Sequence, residues 1–279
     1  MKSFVCFIFL FGLTLNYAAG QTMFEVAEDS LKVLGKTIRD GETDFIKYDA
    51  NENFCSLLEQ TLLAEKSFDY PFDSLTTIAR LTAPDNAFRI FNWNLKKTNG
   101  TFEYFALLQA WSKKYKKFLV YKFKDNSDQI KNPESQALDN TNWFGAHYYK
   151  IIYHKSGAKK YYTLLGWDGN DKMTQKKIID VISFSSGGKI IMGAPIFKYN
   201  KKTLRRIIFE YSATTTMSLK YEKQYMLYGK KKCRMIVFDR ISPLDAALIG
   251  QYQFYFPETN IFDAFLYKHG KWNYIKDID

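Results

Sequence analysis

The chain has 279 residues, of which 46 % are hydrophobic, 18 % aromatic and 25 % charged, and its formal net charge is +11. This length can bury a large core, and the ordinary charged fraction excludes a wholly disordered chain. The aromatic residues are mostly Phe and Tyr, which are typical of β-strands.

The beginning of the chain has the order of a Sec-type signal peptide. Lys2 is followed by an apolar run from Phe4 to Leu15, and Ala18-Ala19-Gly20 supply the small residues that signal peptidase requires. The run is too short to span a bilayer, and no later segment is long and apolar enough. We therefore expect residues 1–20 to be removed and the chain to be exported to the periplasm or the extracellular space.

The next segment, residues 21–75, has a helical pattern. Apolar residues recur at spacings of three and four, which marks one face of an α-helix. The first such stripe contains Phe24, Ala27, Leu31, Leu34 and Ile38. Gly41 is a plausible helix stop. Asp49, three residues before Glu52, resembles a capping box and predicts the start of a second helix.

From residue 76 to residue 279 the pattern changes to short alternating strands separated by turn sequences. Asn99-Gly100 stands between two such strands and is a strong hairpin signal. Several strands are apolar on both faces, which favours layered sheets. The fold class predicted is therefore mainly β: an N-terminal helical segment and a large antiparallel β domain, with a sandwich, a barrel or a small propeller as the alternatives.

Charge is distributed unevenly along the chain. Residues 21–80 have 6 basic and 12 acidic side chains, whereas residues 81–279 have 33 basic and 17 acidic ones. A basic body could bind polyanions, but lysines at strand ends also block edge-to-edge association between sheets. Both interpretations stay open.

Cys55 and Cys233 remain after processing, and the sequence does not decide between a disulfide and two thiols.

Four residues that border predicted loops form a candidate ligand-binding set: Trp143, His147, Trp167 and Asp168. Tryptophan beside polar groups can stack on a sugar, although burial in a β core is its commoner role. Asp168, Asn170 and Asp171 are oxygen donors in a compact turn, but they lack the spacing of a calcium loop, so a hairpin turn is the simpler interpretation. His147 and His154 are seven residues apart, which predicts opposite faces of one strand.

No sequence pattern of a catalytic or cofactor site is present, and we expect no cofactor or metal. A glycosidase would need two carboxylates across a sugar site, and strand carboxylates could supply them without the sequence showing which. The candidates lie in or beside predicted strands: Glu103, Asp180, Glu210, Asp239 and Asp263.

Several stretches resemble a family of secreted Bacteroidota proteins. They are LTAPDNAFRIFNWNL at 81–95, YYTLLGWDGND at 161–171, GKIIMGAPIF at 188–197 and FDAFLYKHGKWNYIKDID at 262–279. The resemblance implies a Gram-negative host and an exported protein, and it assigns no catalytic residue.

Together these observations favour a non-enzymatic exported protein that binds a ligand or serves a structural role. An envelope glycan or another anionic envelope polymer is the expected partner. A glycan-active hydrolase with an unrecognised carboxylate pair and a polyanion-binding protein are the alternatives.

Overall fold

The computed structural model describes residues 23–227 and 231–278. The predicted signal peptide lies outside the described residues, and export therefore stays a prediction. Contacts divide the chain into two compact units. The first contains the described residues up to Ile78 together with residues 118–120, and the second contains residues 79–117 and those from Tyr121 onward.

Two helices begin the described chain. Residues 23–40 form α1, and α2 spans Asp44–Leu63. The predicted apolar stripe of α1 is buried at Phe24, Leu31 and Ile38. None of the helices in the described part of the chain is both long and apolar enough to cross a bilayer.

The second helix begins earlier than the sequence pattern predicts. Its N-cap is Thr43, whose Oγ1 accepts a hydrogen bond from the Ile46 N–H at 3.3 Å. Asp49 and Glu52 therefore lie inside the helix. A threonine before a helical stripe is itself a strong N-cap signal, and here it takes precedence over the capping-box pattern.

Fifteen strands follow within the described residues: β1 Ala79–Thr82, β2 Phe88–Lys96, β3 Phe102–Ser112, β4 Lys117–Lys124, β5 His147–Ser156, β6 Lys159–Asp168, β7 Thr174–Phe184, β8 Ile190–Met192, β9 Phe197–Tyr199, β10 Lys202–Leu204, β11 Ile207–Ser212, β12 Leu219–Leu227, β13 Lys231–Pro243, β14 Tyr255–Lys268 and β15 Lys271–Ile278. They form a four-stranded sheet in the order β1-β2-β3-β4, a five-stranded sheet β11-β7-β6-β5 that includes β8 beside β7, and a six-stranded sheet β10-β9-β15-β14-β13-β12. Nearly all the pairings are antiparallel, and β9 with β15 is a short parallel exception.

The three sheets stack in layers. One face of the five-stranded sheet packs against the four-stranded sheet, where Phe88 meets Tyr162 edge-on at 4.8 Å between ring centroids. The other face packs against the six-stranded sheet, where Phe209 and Phe238 lie 4.6 Å apart. The prediction of a mainly β fold that follows an N-terminal helical segment in the sequence is confirmed. Strands that are apolar on both faces lie in the central layer.

Turn-type residues occur both between two strands and inside one strand. The Asn99-Gly100 hairpin is present between β2 and β3, with Gly100 at a φ of +93°. The polar residues Glu258, Thr259 and Asn260 lie inside β14, which continues through them. The pairing with β13 shifts at this point, and Asn260 has a φ of +57°, so the turn-like residues form an irregularity inside one strand.

Cys55 and Cys233 both carry free thiols in the structure. Cys55 is buried in α2, and Cys233 is half-buried in β13.

Candidate functional site

A cavity of about 330 Å³ opens beside the turn that joins β6 to β7. Three segments form its walls: the start of β3, the turn that follows β4, and residues 168–171. Its lining residues are Lys97, Thr101, Phe102, Glu103, Tyr104, Asp125, Asn126, Ser127, Asp128, Gln129, Phe144, Asp168, Asn170, Asp171 and Lys176. The volume lies at the lower end of the range of about 300–1,000 Å³ that is usual for small-molecule sites.

Asp168 is the most enclosed carboxylate of this cavity, at 5 % exposure. Its Oδ1 accepts hydrogen bonds from the Tyr104 hydroxyl at 2.9 Å and from the Asn170 N–H at 2.7 Å. The Lys176 ammonium lies 3.6 Å from Oδ2. Burial raises the pKa of Asp168, and the nearby Lys176 opposes this shift. Asp168 therefore fixes the turn against β3 at the back of the cavity.

The Tyr104 hydroxyl connects two walls. It donates to Asp168 and accepts the Gly169 N–H at 2.8 Å, so that the start of β3 and the turn after β6 are held together. Gly169 is required here because a Cβ at this position would overlap the ring of Phe102. The close approach therefore depends on one tyrosine and one glycine that are 65 residues apart in the chain.

A chain of polar groups continues along the floor from Lys176. Its Nζ donates to Asn170 Oδ1 at 2.7 Å, and the Asn170 amide donates to Thr174 Oγ1 at 2.6 Å. The Thr174 hydroxyl then donates to Glu210 Oε1 at 2.8 Å. Lys176 also lies 5.9 Å from the ring centre of Phe144. These contacts give the charged floor a fixed geometry before any ligand arrives.

Asp125 organises the opposite wall. Its Oδ1 accepts from the Ser127 N–H at 3.0 Å, the Ser127 hydroxyl and the Gly145 N–H at 3.2 Å, and its Oδ2 accepts from the Tyr104 N–H at 3.1 Å. A Cβ on Gly145 would collide with this carboxylate. Asp125 thus shapes the turn after β4 through four hydrogen bonds.

The sign of the charge in the cavity is opposite to that of the whole protein. Five carboxylates and two lysines line it, although the chain as a whole carries +11. Hydroxyl and amide groups of Thr101, Asn126, Ser127 and Gln129 complete the lining. The cavity therefore offers many hydrogen-bond acceptors with several donors, and it is poorly suited to a polyanion.

A second cavity, of about 560 Å³, adjoins the first and contains Trp167. The two cavities share Lys97, Phe102 and Asp171. Trp167 meets Phe102 edge-on at 5.4 Å and donates its Nε1–H to Gln175 at 2.8 Å. Phe102 is therefore the wall between an acidic cavity and an aromatic one.

The structure separates the four residues of the predicted ligand-binding set. Asp168 lines the first cavity and Trp167 the second, whereas Trp143 is fully buried in the core, where its Nε1–H donates to the Tyr148 hydroxyl at 3.0 Å. His147 pairs with Trp167 across β5 and β6. Its Nδ1 is buried with no hydrogen-bond partner among the described residues, and burial lowers its pKa.

The expected placement of the two histidines on opposite faces is wrong. A β-bulge between Tyr148 and Lys150 adds one residue to β5. The alternation of side chains therefore changes phase, and His147 and His154 face the same side of the sheet. His154 is buried between the Thr163 hydroxyl at 2.8 Å and the Tyr267 hydroxyl at 3.0 Å.

The oxygen donors of the 168–171 turn are used within the turn itself. Asp171 Oδ1 accepts from the Met173 N–H at 2.7 Å and the Thr174 N–H at 2.9 Å. Throughout residues 23–227 and 231–278, no group of three or more His, Cys, Asp or Glu side chains is placed to hold a metal ion.

Sequence reasoning did not identify Tyr104, Asp125 or Lys176 as site residues. The available signal was weak: Asp125 begins a long polar segment after a strand, and Asp-x-Ser favours a side-chain-capped turn.

Comparison with protein-family models, curated proteins and solved structures finds no match to this chain.

Proposed function

We propose that this protein is a carbohydrate-binding protein without catalytic activity, and that the acidic cavity receives a neutral glycan. The observation that carries the proposal is the cavity's preformed mixture of acceptors and donors beside the half-buried ring of Phe102. Sugar hydroxyls need both kinds of partner, and sugar C–H faces pack on aromatic rings. The adjoining cavity with Trp167 would extend the site for further sugar units.

The hydrogen bonding of the carboxylates favours binding over hydrolysis. Asp125, Asp168 and Asp171 already accept hydrogen bonds that hold the walls together. A hydrolase needs one carboxylate to donate a proton and a second to act as nucleophile or base, and such groups must be available to the substrate. Carboxylates that hold turns in place are more consistent with a rigid binding site.

The test is calorimetric titration with neutral hexasaccharides of glucose, xylose, mannose and N-acetylglucosamine. Asp128 and Lys97 line the cavity. We expect Asp128→Asn and Lys97→Gln each to weaken binding about tenfold, the size of a lost hydrogen bond to a charged group. Glu222→Gln is the matched control, since Glu222 is exposed on β12 and lines none of these cavities. Absence of binding by every sugar, or equal losses in all three variants, would reject the proposal.

A glycan-active hydrolase is the second candidate, and one observation favours it. Burial raises the pKa of Asp168, as is typical of a general acid in a glycosidase. Turnover of any hexasaccharide in the panel, abolished by Asp168→Asn in a variant that still binds the sugar, would establish this reaction and exclude a purely binding role.

Export is also proposed, on the sequence of residues 1–20. Expression of the full chain in a Gram-negative host should release a form whose N-terminal residue is Gln21. An uncut precursor retained in the cytosol would contradict export but would leave the binding proposal intact.

A further inference from the structure

A third concave surface, in the second compact unit, has a charge opposite to that of the acidic cavity. A groove of about 650 Å³ lies where β5 faces β12 and β13. Its lining includes four basic side chains and no carboxylate, and the basic residues are Lys150, Lys155, Lys223 and Arg234. The acidic cavity and this groove therefore select for different ligands.

The four cations of the groove lack acidic partners. No ion pair joins any of them to a carboxylate within the described residues. Asp85, next to Pro84 at the edge of the groove, is already bound to Lys160 at 2.7 Å and to the Tyr162 hydroxyl at 3.1 Å. Four like charges around one concavity repel one another, and an anionic ligand would relieve that repulsion.

Three of the four cations lie at two β-bulges. In β5, Tyr149 is the extra residue between Tyr148 and Lys150. In β12, Lys223 and Gln224 together oppose Arg234 alone. Bulges redirect side chains and are frequent beside binding sites. Both walls of the groove thus depart from regular pairing beside Lys150, Lys223 and Arg234, whereas Lys155 pairs regularly with Lys160.

We infer that this groove binds an acidic polysaccharide, one that carries sulfate or carboxylate groups. The aromatic residues favour this ligand over single-stranded nucleic acid, which needs open ring faces for base stacking. Tyr153 already stacks on Tyr162 at 5.4 Å between ring centroids, and the Lys160 ammonium lies 5.8 Å from the centre of its ring. Recognition in this groove therefore depends on the cations and the hydroxyl groups.

A competing explanation is edge protection. β5 and β12 are edge strands of their sheets, and lysines on edge strands prevent association between molecules. Protection alone predicts no specific affinity for anions, and it predicts self-association when the charges are removed. The two explanations therefore differ in a measurable way.

The experiment compares two triple variants of equal net charge by heparin titration at several salt concentrations. Lys155→Gln/Lys223→Gln/Arg234→Gln removes three groove cations, and Lys113→Gln/Lys114→Gln/Lys117→Gln removes three exposed ones in the β3–β4 turn and at the first residue of β4. We expect the groove variant to bind heparin at least about tenfold more weakly with a smaller salt dependence, because fewer counterions are released. The control should change by less than about twofold. Neutral hexasaccharide binding should be unchanged in both variants.

Equal losses in the two variants would overturn the inference in favour of net charge alone. An unchanged heparin affinity with new self-association would overturn it in favour of edge protection. A single-stranded oligo(dT) that displaces heparin at equal or lower concentration would also contradict it. Acetylation of the wild-type protein gives a second readout without any variant: heparin should protect Lys150, Lys155 and Lys223 while leaving Lys113 and Lys114 reactive. Uniform protection, or none, would reject the site.

Discussion

Arg206 and Asp180 form an ion pair that is completely buried, with 2.7 Å between Nε and Oδ2 and no exposure of either side chain. Arg206 also donates from Nη1 to the Pro133 carbonyl at 2.6 Å, and the Tyr148 hydroxyl lies 3.4 Å from Asp180. Through Tyr148 the pair connects to the buried indole of Trp143. A charged pair in the central layer costs desolvation, and these additional hydrogen bonds offset part of that cost.

We expect Asp180→Ala to lower the free energy of unfolding by about 3–5 kcal/mol, since it leaves the Arg206 charge buried without compensation. The double variant Asp180→Leu/Arg206→Met should lose much less, because no charge then remains inside. Urea denaturation measures both values, with Glu222→Gln as an exposed control expected within about 0.5 kcal/mol of the wild type. A double variant as unstable as the single one would show that the pair itself is stabilising.

The Tyr104 hydroxyl should contribute measurably to stability. Tyr104→Phe removes the donor to Asp168 and the acceptor of the Gly169 N–H, and it leaves buried groups unsatisfied. We expect a loss of about 1–3 kcal/mol in urea denaturation. Tyr115→Phe is the matched control, since Tyr115 is 56 % exposed, and it should have almost no effect. Equal effects of the two substitutions would contradict the role given to Tyr104.

Gly169→Ala tests the close packing of the turn against Phe102. The added methyl group must displace the ring, which is expected to cost about 1–3 kcal/mol as in other overpacked sites. Gly187→Ala is the control, because a Cβ there has its nearest neighbour at 3.9 Å. Thermal denaturation compares the two, and the Gly169 variant should also bind neutral glycans more weakly. An unchanged melting temperature and an unchanged affinity would show that the Phe102 ring can move aside without a loss of stability, and would contradict the prediction.

His154 should make stability depend on pH. Burial lowers its pKa from 6.5 to about 4, so between those values the unfolded chain binds more protons than the folded one. The free energy of unfolding should therefore fall as pH decreases from 6.5 to 4, by at most about 3 kcal/mol for this residue. The burial of His147 adds a contribution of the same sign, and it remains in the variant.

Urea denaturation at several pH values measures this effect, and His154→Gln should flatten the dependence relative to the wild type. Above pH 6.5 the difference in free energy of unfolding between the wild type and His154→Gln should no longer change with pH. If the difference in free energy of unfolding between the two proteins is constant from pH 4 to pH 7, His154 has the same pKa in the folded and unfolded chains, which would contradict the prediction.

Part of this architecture was predictable from local sequence. Asn99-Gly100 predicts its hairpin because the turn needs a residue with positive φ, and strands that are apolar on both faces predict a layered interior. Trp167 and Asp168 reach cavities because a turn after a strand lies at the end of a sheet. The β-bulges could not be predicted, because alternation alone gives no sign of one extra residue, and the histidine faces were therefore assigned wrongly.

The remaining site residues could not be found because their proximity depends on the stacking of sheets. Tyr104 and Asp168 are 64 residues apart, and Asp125 belongs to a long polar segment. Likewise, the basic groove is lined by residues of β5, β12 and β13, whereas the runs of adjacent lysines in the sequence lie elsewhere. Such combinations depend on which faces the packed layers leave open.

The most direct test of the proposed glycan site is an NMR titration of the ¹⁵N-labelled protein with the tightest-binding neutral hexasaccharide. We predict saturable shifts at the amides of residues 101–104, 125–129 and 168–171, and no change around Lys223 and Arg234. Shifts confined to other regions, or no saturable shift for any sugar in the panel, would contradict the assignment of this cavity.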